Sequence, residues 1–515
     1  MSSNAPPSPT SPRFFVETFG CQMNVHDSTR MEEALLAHGW RAADALEDAD
    51  LVVFNTCSVR EKAEQKLRSE VGRLKPLKAR RADLVIAIAG CVAQQEGETL
   101  LGRLPHVDLV VGPDNLGELP LLAETIRLGG PPVARTVFDL DAPSFLAATP
   151  KLPGRATPVS AYVTTMKGCD ERCSYCIVPY TRGPERYRPM REIVEECARL
   201  VDAGARELTL LGQTVNSWLP PDEYAALPAA DEGSTAQRVR GDASAFAALI
   251  RAIAREVPAL RRIRYASPHP RHVTPDLIAA HAELDVLARH VHLPVQSGSD
   301  RMLKRMIRRY RRDEYLARAA ALKAARPGLT LSTDVIVGFP GETEDDFAQT
   351  LSLVREAGFV ALFGFKFSPR PHTPALKLAD DVPEEVKAER LERLFAVVDA
   401  QQRAHLSSLV GAEVEVLFEG PSSPNEKEGA VTSLAKIMGR SERNEIVHVE
   451  VPAGRDGAAL LGELARVRVV RANAHSLAGE LDAATAVALP TASNAAARPP
   501  GARRLQVLGD RHGHG

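Results

Sequence analysis

The sequence predicts a multidomain α/β protein: an N-terminal parallel α/β unit, a partial (βα)6 barrel and a small C-terminal β-barrel. Three observations predict it. Apolar strands alternate with charged, helix-like stretches from Arg13 to about Gly130, the pattern of a parallel sheet with helical crossovers. A second β/α series, with six strands, runs from Val159 to Leu409; six units suit an open barrel rather than a closed eightfold one. From Val410 the pattern changes to short strands and turns, as in a small β-barrel.

Residues 1–12 are Ser/Pro-rich, without a basic start or an apolar run, and read as a flexible lead rather than a signal peptide. The first unit, 13–130, has strands at Phe14–Thr18, Leu51–Phe54 and Leu84–Ala89, with helical stretches at Ser28–His38 and Glu61–Leu74. Residues 131–158 carry several prolines and no period, as expected of a linker. In 159–409 the strands are Tyr162–Met166, Glu207–Leu211, Arg262–Tyr265, His290–Val295, Leu331–Val337 and Ala361–Phe367. Helices such as Met190–Ala203, Ala245–Glu256 and Asp345–Glu356 lie between them, and the active site is expected at the C-terminal strand ends. Pro220–Asp242 breaks the series as a surface insertion. In 410–481 the strands are Glu413–Phe418, Ile446–Val451 and Ala465–Arg471. Residues 482–515, rich in Ala, Pro, Arg and Gly and closing on His-Gly-His-Gly, read as a disordered tail.

The composition is that of an ordinary globular protein: 44% hydrophobic and 25% charged over 515 residues, with a net charge of −2. The near-neutral balance gives no global signature of nucleic-acid binding, although it leaves room for a local basic face. The longest apolar run, Leu84–Ala93, is far short of the roughly 20 residues that span a bilayer. No membrane association is therefore expected, and the cytoplasm is the expected location. Seven cysteines are too few for a disulfide scaffold and odd in number, so in a reducing compartment they are available for metal or catalysis.

Cys169, Cys173 and Cys176 form a C-x3-C-x2-C run just after the first barrel strand, at the expected catalytic mouth. Three thiolates can hold three irons of a cubane cluster and leave the fourth open for chemistry. A structural zinc knuckle is the competing reading, but zinc wants four ligands and no second pair follows. Cys21, Cys57 and Cys91 are scattered in sequence yet alike in context: each follows an apolar strand, and Gly20 and Gly90 precede two of them. Parallel strands bring their C-terminal ends to one sheet edge, so these three can converge on a second cluster, with the glycines allowing close approach. The competing reading is three buried structural cysteines. Cys197, inside a helical run, has no partner at ligand spacing and reads as packing.

With Tyr175 before its last cysteine, Cys169–Cys176 resembles the signature of the radical S-adenosylmethionine (radical SAM) superfamily, and six βα units suit that family's partial barrel. The resemblance implies that the open iron chelates SAM and that reduction cleaves it to a 5′-deoxyadenosyl radical. It further implies SAM contacts at Tyr175, at Gly212 and Gln213 after the second strand, and at Val335 and Gly338 on and after the fifth.

The whole layout resembles the methylthiotransferases, over about residues 13–480. Phe19–Asn24, Asn55–Ala63, Cys176–Gly183 and His292–Ser299 carry the likeness, which is nearest to the branch that acts on isopentenylated tRNA. One departure is His372, where the family has Gly; His tolerates positive φ better than most residues, so the turn can survive. The resemblance implies an N-terminal cluster domain, a radical SAM core and a C-terminal RNA-binding TRAM barrel. It implies two 4Fe–4S clusters, on Cys21/Cys57/Cys91 and on Cys169/Cys173/Cys176, and two uses of SAM, as methyl donor and as radical source. The implied reaction is methylthiolation of carbon 2 of N6-isopentenyladenosine beside the anticodon. The implied partners are tRNA, a low-potential electron donor and a sulfur donor or cluster carrier, with the enzyme a monomer. Related enzymes act on threonylcarbamoyl-adenosine in tRNA or on a ribosomal-protein aspartate. A radical enzyme without sulfur insertion, and a non-catalytic iron–sulfur RNA-binding protein, are further alternatives.

Basic residues offer two candidate RNA faces. Arg301–Arg312 holds Lys304 and six arginines with no acid, a phosphate face or simply a solvated helix face. In the C-terminal module, Lys436, Arg440, Arg443, Arg466, Arg468 and Arg471 could track a backbone.

Overall fold

Long apolar runs without alternation require burial on both faces, and the first unit supplies it. The computed structural model describes residues 11–58, 61–140, 145–149, 157–225, 242–422 and 434–491. Most of the expected lead, the insertion from 226 to 241 and the end of the tail with its His-Gly-His-Gly lie outside the described residues. Strands β1 (Arg13–Phe19), β2 (Arg41–Ala42), β3 (Leu51–Thr56), β4 (Val85–Gly90), β5 (Leu109–Val111) and β6 (Val133–Arg135) form one parallel sheet in the order β2-β1-β3-β4-β5-β6. Alternate residues of β3 and β4 feed two cores: Val52, Phe54, Ile86 and Ile88 on one face, and Leu51, Val53, Val85 and Ala87 on the other.

β6 corrects the expected linker at 131–158. Val133 pairs with Leu109 on β5, so the first unit extends past residue 130. The strand is short, follows two prolines and is only half-buried, which hid it.

The second unit contains β7 (Ser160–Thr164), β8 (Met166–Lys167), β9 (Arg186–Tyr187), β10 (Glu207–Leu211), β11 (Arg262–Tyr265), β12 (His290–His292), β13 (Thr330–Val337) and β14 (Ala361–Lys366). The six expected strands are present, arranged as parallel sheets β7-β10-β11 and β12-β13-β14. A backbone bridge joins the two: Ile263 N–H donates to Val286 O at 2.7 Å, and Ala288 N–H to Ile263 O at 3.0 Å. The expected strand Tyr162–Met166 breaks at Thr165, whose N–H still bonds Leu211 O; β8 turns away to pair with β9. Within the expected insertion, Pro221–Ala225 is helical and Tyr224 packs edge-on against Tyr187 at 4.9 Å.

β15 (Glu413–Pro421), β16 (Lys436–Ser441), β17 (Ile446–Glu450), β18 (Leu464–Ala472) and β19 (Leu477–Leu481) close a five-stranded barrel. It docks on the N-terminal ends of the core strands, away from the cysteines. Buried Glu207 binds Arg262 and Arg264, which donate onward to Arg440 O at 3.1 Å and Ser441 O at 2.9 Å. Of the expected tail, the described residues 482–491 are folded onto the barrel. Asp482 caps the helix Ala483–Ala488, Leu489 sits in the barrel core, and Asp456 N–H bonds Pro490 O. Its Ala-rich composition concealed one apolar anchor and one cap. No helix among the described residues is long and apolar enough to cross a membrane.

Candidate metal centres and the face between them

The register of the first sheet sets the N-terminal trio. Phe19, Thr56 and Gly90 are Cα partners across β1, β3 and β4. Cys21 therefore comes two residues after that row and Cys57 and Cys91 one residue after it, on three adjacent strand ends. Adjacent strands lie about 4.8 Å apart, so the three thiols fall within reach of one small group. The chain is drawn in closely here. A Cβ on Gly20 (φ +147°) would overlap the Cys57 side chain, and one on Gly90 (φ +90°) would overlap Asn55. Asn55 braces the edge, donating to Asn24 O at 2.8 Å and Ser28 Oγ at 3.0 Å, while its Oδ1 accepts from Asn24 Nδ2 at 3.0 Å.

A hydrogen bond with Cys57 lowers the Cys21 thiol to about 6 against the effect of burial, whereas burial raises Cys91. Arg182 assists both from the second unit: its charge favours both thiolates. Three thiols, two glycine approaches and a buried cation fit an anionic iron–sulfur group held by Cys21, Cys57 and Cys91.

The second trio follows β8. Gly168 (φ +77°) turns the chain where the carbonyls of Gly183 and Pro184 leave no room for a Cβ, and Cys169 N–H donates to Gly183 O at 3.1 Å. Cys169 Sγ lies 3.0 Å from Thr214 Oγ1, at the end of β10. Cys173 Sγ accepts from Arg308 at 3.4 Å, and Cys176 N–H bonds Cys173 O at 3.0 Å. Burial lifts Cys169 well above its usual range, and burial followed by Cys173 pushes Cys176 up to about 12. Loading a metal therefore has to expel protons from this pocket. The trio fits a three-thiolate cluster. Cys197 is fully buried in the barrel core, as packing requires.

Tyr175 packs against a cluster of Met302, Met306, Phe339 and Phe367. Gly212 lies against Met166 and Val215, where a Cβ would clash. The neighbouring Gln213 keeps a buried Oε1 without a hydrogen-bond partner, an acceptor at the mouth. Val335 is fully buried in the barrel core. Gly338 (φ +68°) lies against the Lys387 side chain and donates its N–H to Glu342 at 2.7 Å.

Sequence reasoning missed a buried group at the end of β11. Ligand atoms of Glu171, His269 and His272 lie within 4.8 Å of one another, and Glu171 Oε2 and His269 Nε2 have no hydrogen-bond partner. Spacing alone would suit a cation. Arg271 stands 3.5 Å from Glu171, however, and Arg308 adds charge beside His269. His269 Nδ1 accepts the Arg271 N–H at 3.3 Å, which puts the proton of the neutral ring on Nε2. The group reads as a hydrogen-bonding patch.

The basic run Arg301–Arg312 is largely used internally. Arg301 pairs with Asp346, Arg305 binds Pro340 O, Arg312 binds Gln349 O and Glu356, and Arg308 is buried against Cys173. It offers no continuous phosphate face. In the C-terminal barrel, Lys436, Arg440, Arg443 and Arg468 pair with Glu450, Glu419, Glu445 and Glu480. Among the described residues, only Arg466 and Arg471 of the six candidates make no ion pair. The turn at His372 has φ +66°, as a Gly position requires, and its ring meets Tyr180 at 5.7 Å.

Comparison with known proteins decides the family. Residues 13–112 match the uncharacterized protein family UPF0004, and residues 163–354 match the radical SAM superfamily. A tRNA-2-methylthio-N(6)-dimethylallyladenosine synthase of Sorangium cellulosum is 60% identical, over 96% of this chain and 99% of its own length. Its namesake from Burkholderia cenocepacia is 44% identical, over 92% and 99%. The chain belongs to this synthase family. It is a radical SAM enzyme, a class that uses a 4Fe–4S cluster and SAM. Among solved structures, a radical SAM methyltransferase of Kitasatospora setae (TsrM) has a TM-score of 0.46 at 15% identity, covering 71% of this chain and 77% of that one.

Proposed function

We propose that this enzyme methylthiolates carbon 2 of N6-isopentenyladenosine in tRNA, next to the anticodon. The observation that carries the proposal is the pair of thiol trios at strand-end edges, joined through consecutive residues. Arg182 binds Asp27, on the helix opened by Cys21 of the first trio, and Gly183 O holds Cys169 of the second. Family membership and the names of the full-length relatives support the same reading.

Cys169, Cys173 and Cys176 would hold the 4Fe–4S cluster at which SAM binds, and Cys21, Cys57 and Cys91 would hold a second. The bound groups supply a carbon-centred radical from one SAM and a sulfur that carries the methyl group of another. The chain's own residues position and shield this chemistry. Thr214 and Arg308 fix the directions of Cys169 and Cys173. Tyr175 and its apolar cluster exclude water beneath the second trio. Gln213 Oε1 and His269 Nε2 are an acceptor and a donor for SAM or the adenosine. An aromatic C–H is too inert for acid–base chemistry at neutral pH, so the sulfur must already be within bonding reach when the radical forms.

We assign the five-stranded barrel as the TRAM module, with Arg466 and Arg471 as its phosphate contacts. The reaction also needs a low-potential electron donor and a sulfur donor or cluster carrier, and acting on tRNA it takes place in the cytoplasm. The test is anaerobic reconstitution followed by nucleoside analysis of isopentenylated tRNA. The methylthio nucleoside is expected, and its absence with intact clusters refutes the proposal. Cys169→Ala should abolish 5′-deoxyadenosine formation. Cys57→Ala should retain SAM cleavage and lose sulfur insertion.

A further inference from the structure

The face between the first unit and the barrel is built from buried charge. Arg186 and Lys167 converge on Asp114, Arg30 lies 3.6 Å from Glu196, and Arg182 binds Asp27 at 2.6 Å. Buried ion pairs of this kind are poor sources of stability, because desolvation offsets most of their attraction. A charge kept in such a place calls for another explanation.

Arg182 differs from its neighbours in what else it touches. It comes six residues after Cys176, in the second unit, at the end of the helical turn Val178–Thr181 that packs against the helix opened by Cys91, so its positive charge bears on Cys91 and Cys21, both in the first unit. Asp27, its carboxylate partner, lies six residues after Cys21, on the helix that Cys21 opens. Arg182 and Asp27 are respectively 4% and 6% exposed, so solvent does not screen their charges.

We propose that Arg182 is a positioning residue for the iron–sulfur group of the N-terminal trio: it supplies, from the other unit, the positive charge that offsets the thiolates of Cys21 and Cys91, while Asp27 limits how much of that charge they feel. The inference rests on the reading that this trio holds such a group. Nearby charge and hydrogen bonds to sulfur set the potential of iron–sulfur groups. Removing the cation makes reduction harder, and removing Asp27 makes it easier. The two substitutions therefore act with opposite signs, which loss of packing alone does not produce.

The experiment uses the full chain carrying Cys169→Ala, Cys173→Ala and Cys176→Ala, so that only the N-terminal trio binds iron. Midpoint potentials are read by anaerobic redox titration with EPR. Arg182→Gln should move the midpoint negative by about tenfold in the reduction equilibrium, ~59 mV for one electron. Arg182→Lys should restore most of it, and Asp27→Asn should move it positive. Arg30→Gln, which breaks the neighbouring pair with Glu196, should leave it in place. Shifts of the same sign for Arg182→Gln and Asp27→Asn, no shift in either, or an equal shift for Arg30→Gln overturns the proposal. If Arg182→Gln does not fold, the sign for Asp27→Asn decides. Absence of iron from the triple-cysteine protein instead overturns the N-terminal cluster itself.

Discussion

Gly90→Ala isolates the N-terminal trio through its backbone. Gly90 sits at φ +90°, ψ −154°, a region essentially reserved for glycine, so any side chain there costs on the order of 1–3 kcal/mol. The new methyl group also meets Asn55 Oδ1, while Thr56 O lies 3.0 Å away in a strand. Asn55 has to yield, and it makes three hydrogen bonds that tie the helix after Cys21 to β3. At about 1 kcal/mol net each, the total with the backbone strain is roughly 4–6 kcal/mol. That is a large share of the ~5–15 kcal/mol that holds a typical domain. Gly39→Ala is the control: φ is also positive, at +84°, but nothing lies within 4 Å. It should cost only about 1–2 kcal/mol and leave the cysteines in place. The assays are denaturant unfolding, iron and sulfide content after anaerobic reconstitution, and the two products, 5′-deoxyadenosine and methylthio-nucleoside. Gly90→Ala should lose about half of its iron and nearly all sulfur insertion while still cleaving SAM. If it binds full iron and is destabilised no more than Gly39→Ala, the close-approach argument is wrong.

Two further predictions concern buried charge away from the cysteines. Glu207→Ala leaves Arg262 and Arg264 buried without a carboxylate and should cost about 3–5 kcal/mol. Because those arginines hold Arg440 O and Ser441 O, limited proteolysis should release the C-terminal barrel sooner; unchanged cleavage would contradict the docking described here. Burial raises Glu342 from 4.5 to about 7, against the Gly338 N–H and Arg390. The folded carboxyl then binds its proton more tightly than the unfolded one, so its contribution is fullest below pH 4.5 and is lost as pH rises through 7. The loss is about 3 kcal/mol at 1.36 kcal/mol per pH unit. Glu342→Gln should remove that slope, and parallel stability–pH curves for the two proteins would refute the assignment.

The central strands were legible because β3 and β4 are buried on both faces, and such strands leave uninterrupted apolar runs. β6 and the anchor at Leu489 were not, because each depends on a partner distant in sequence rather than on its own pattern. Cys21, Cys57 and Cys91 could be grouped from their place after strands, since parallel topology converts that place into proximity, and Cys169, Cys173 and Cys176 from their spacing. The arginines could not be sorted in this way. Arg301–Arg312 reads as a solvent-facing basic run, yet Arg308 is buried on Cys173 and Arg301 is tied to Asp346, because a carboxylate or thiol brought in by the fold leaves no mark beside it in sequence. Arg182 lay within a motif already singled out, but its target, Asp27, is on a helix of the other unit.

The same distinction explains why the joint between the two units is ionic. An apolar face can slide by a fraction of an ångström at little cost, because dispersion and burial are non-directional. Arg30 against Glu196, Arg182 against Asp27 and Arg186 against Asp114 cannot, since each is buried and any slip strands a desolvated charge. Such pairs add little net stability but strongly penalise every other docking, the use of buried charge best attested as a means of fixing register. The proposed reaction, in which a radical made over one trio meets sulfur held at the other, needs that property more than it needs affinity. A misplacement of about 1 Å can cost on the order of a hundredfold in rate. The charges therefore lie where the proposed reaction requires a rigid relation between Cys169–Cys176 and Cys21, Cys57 and Cys91.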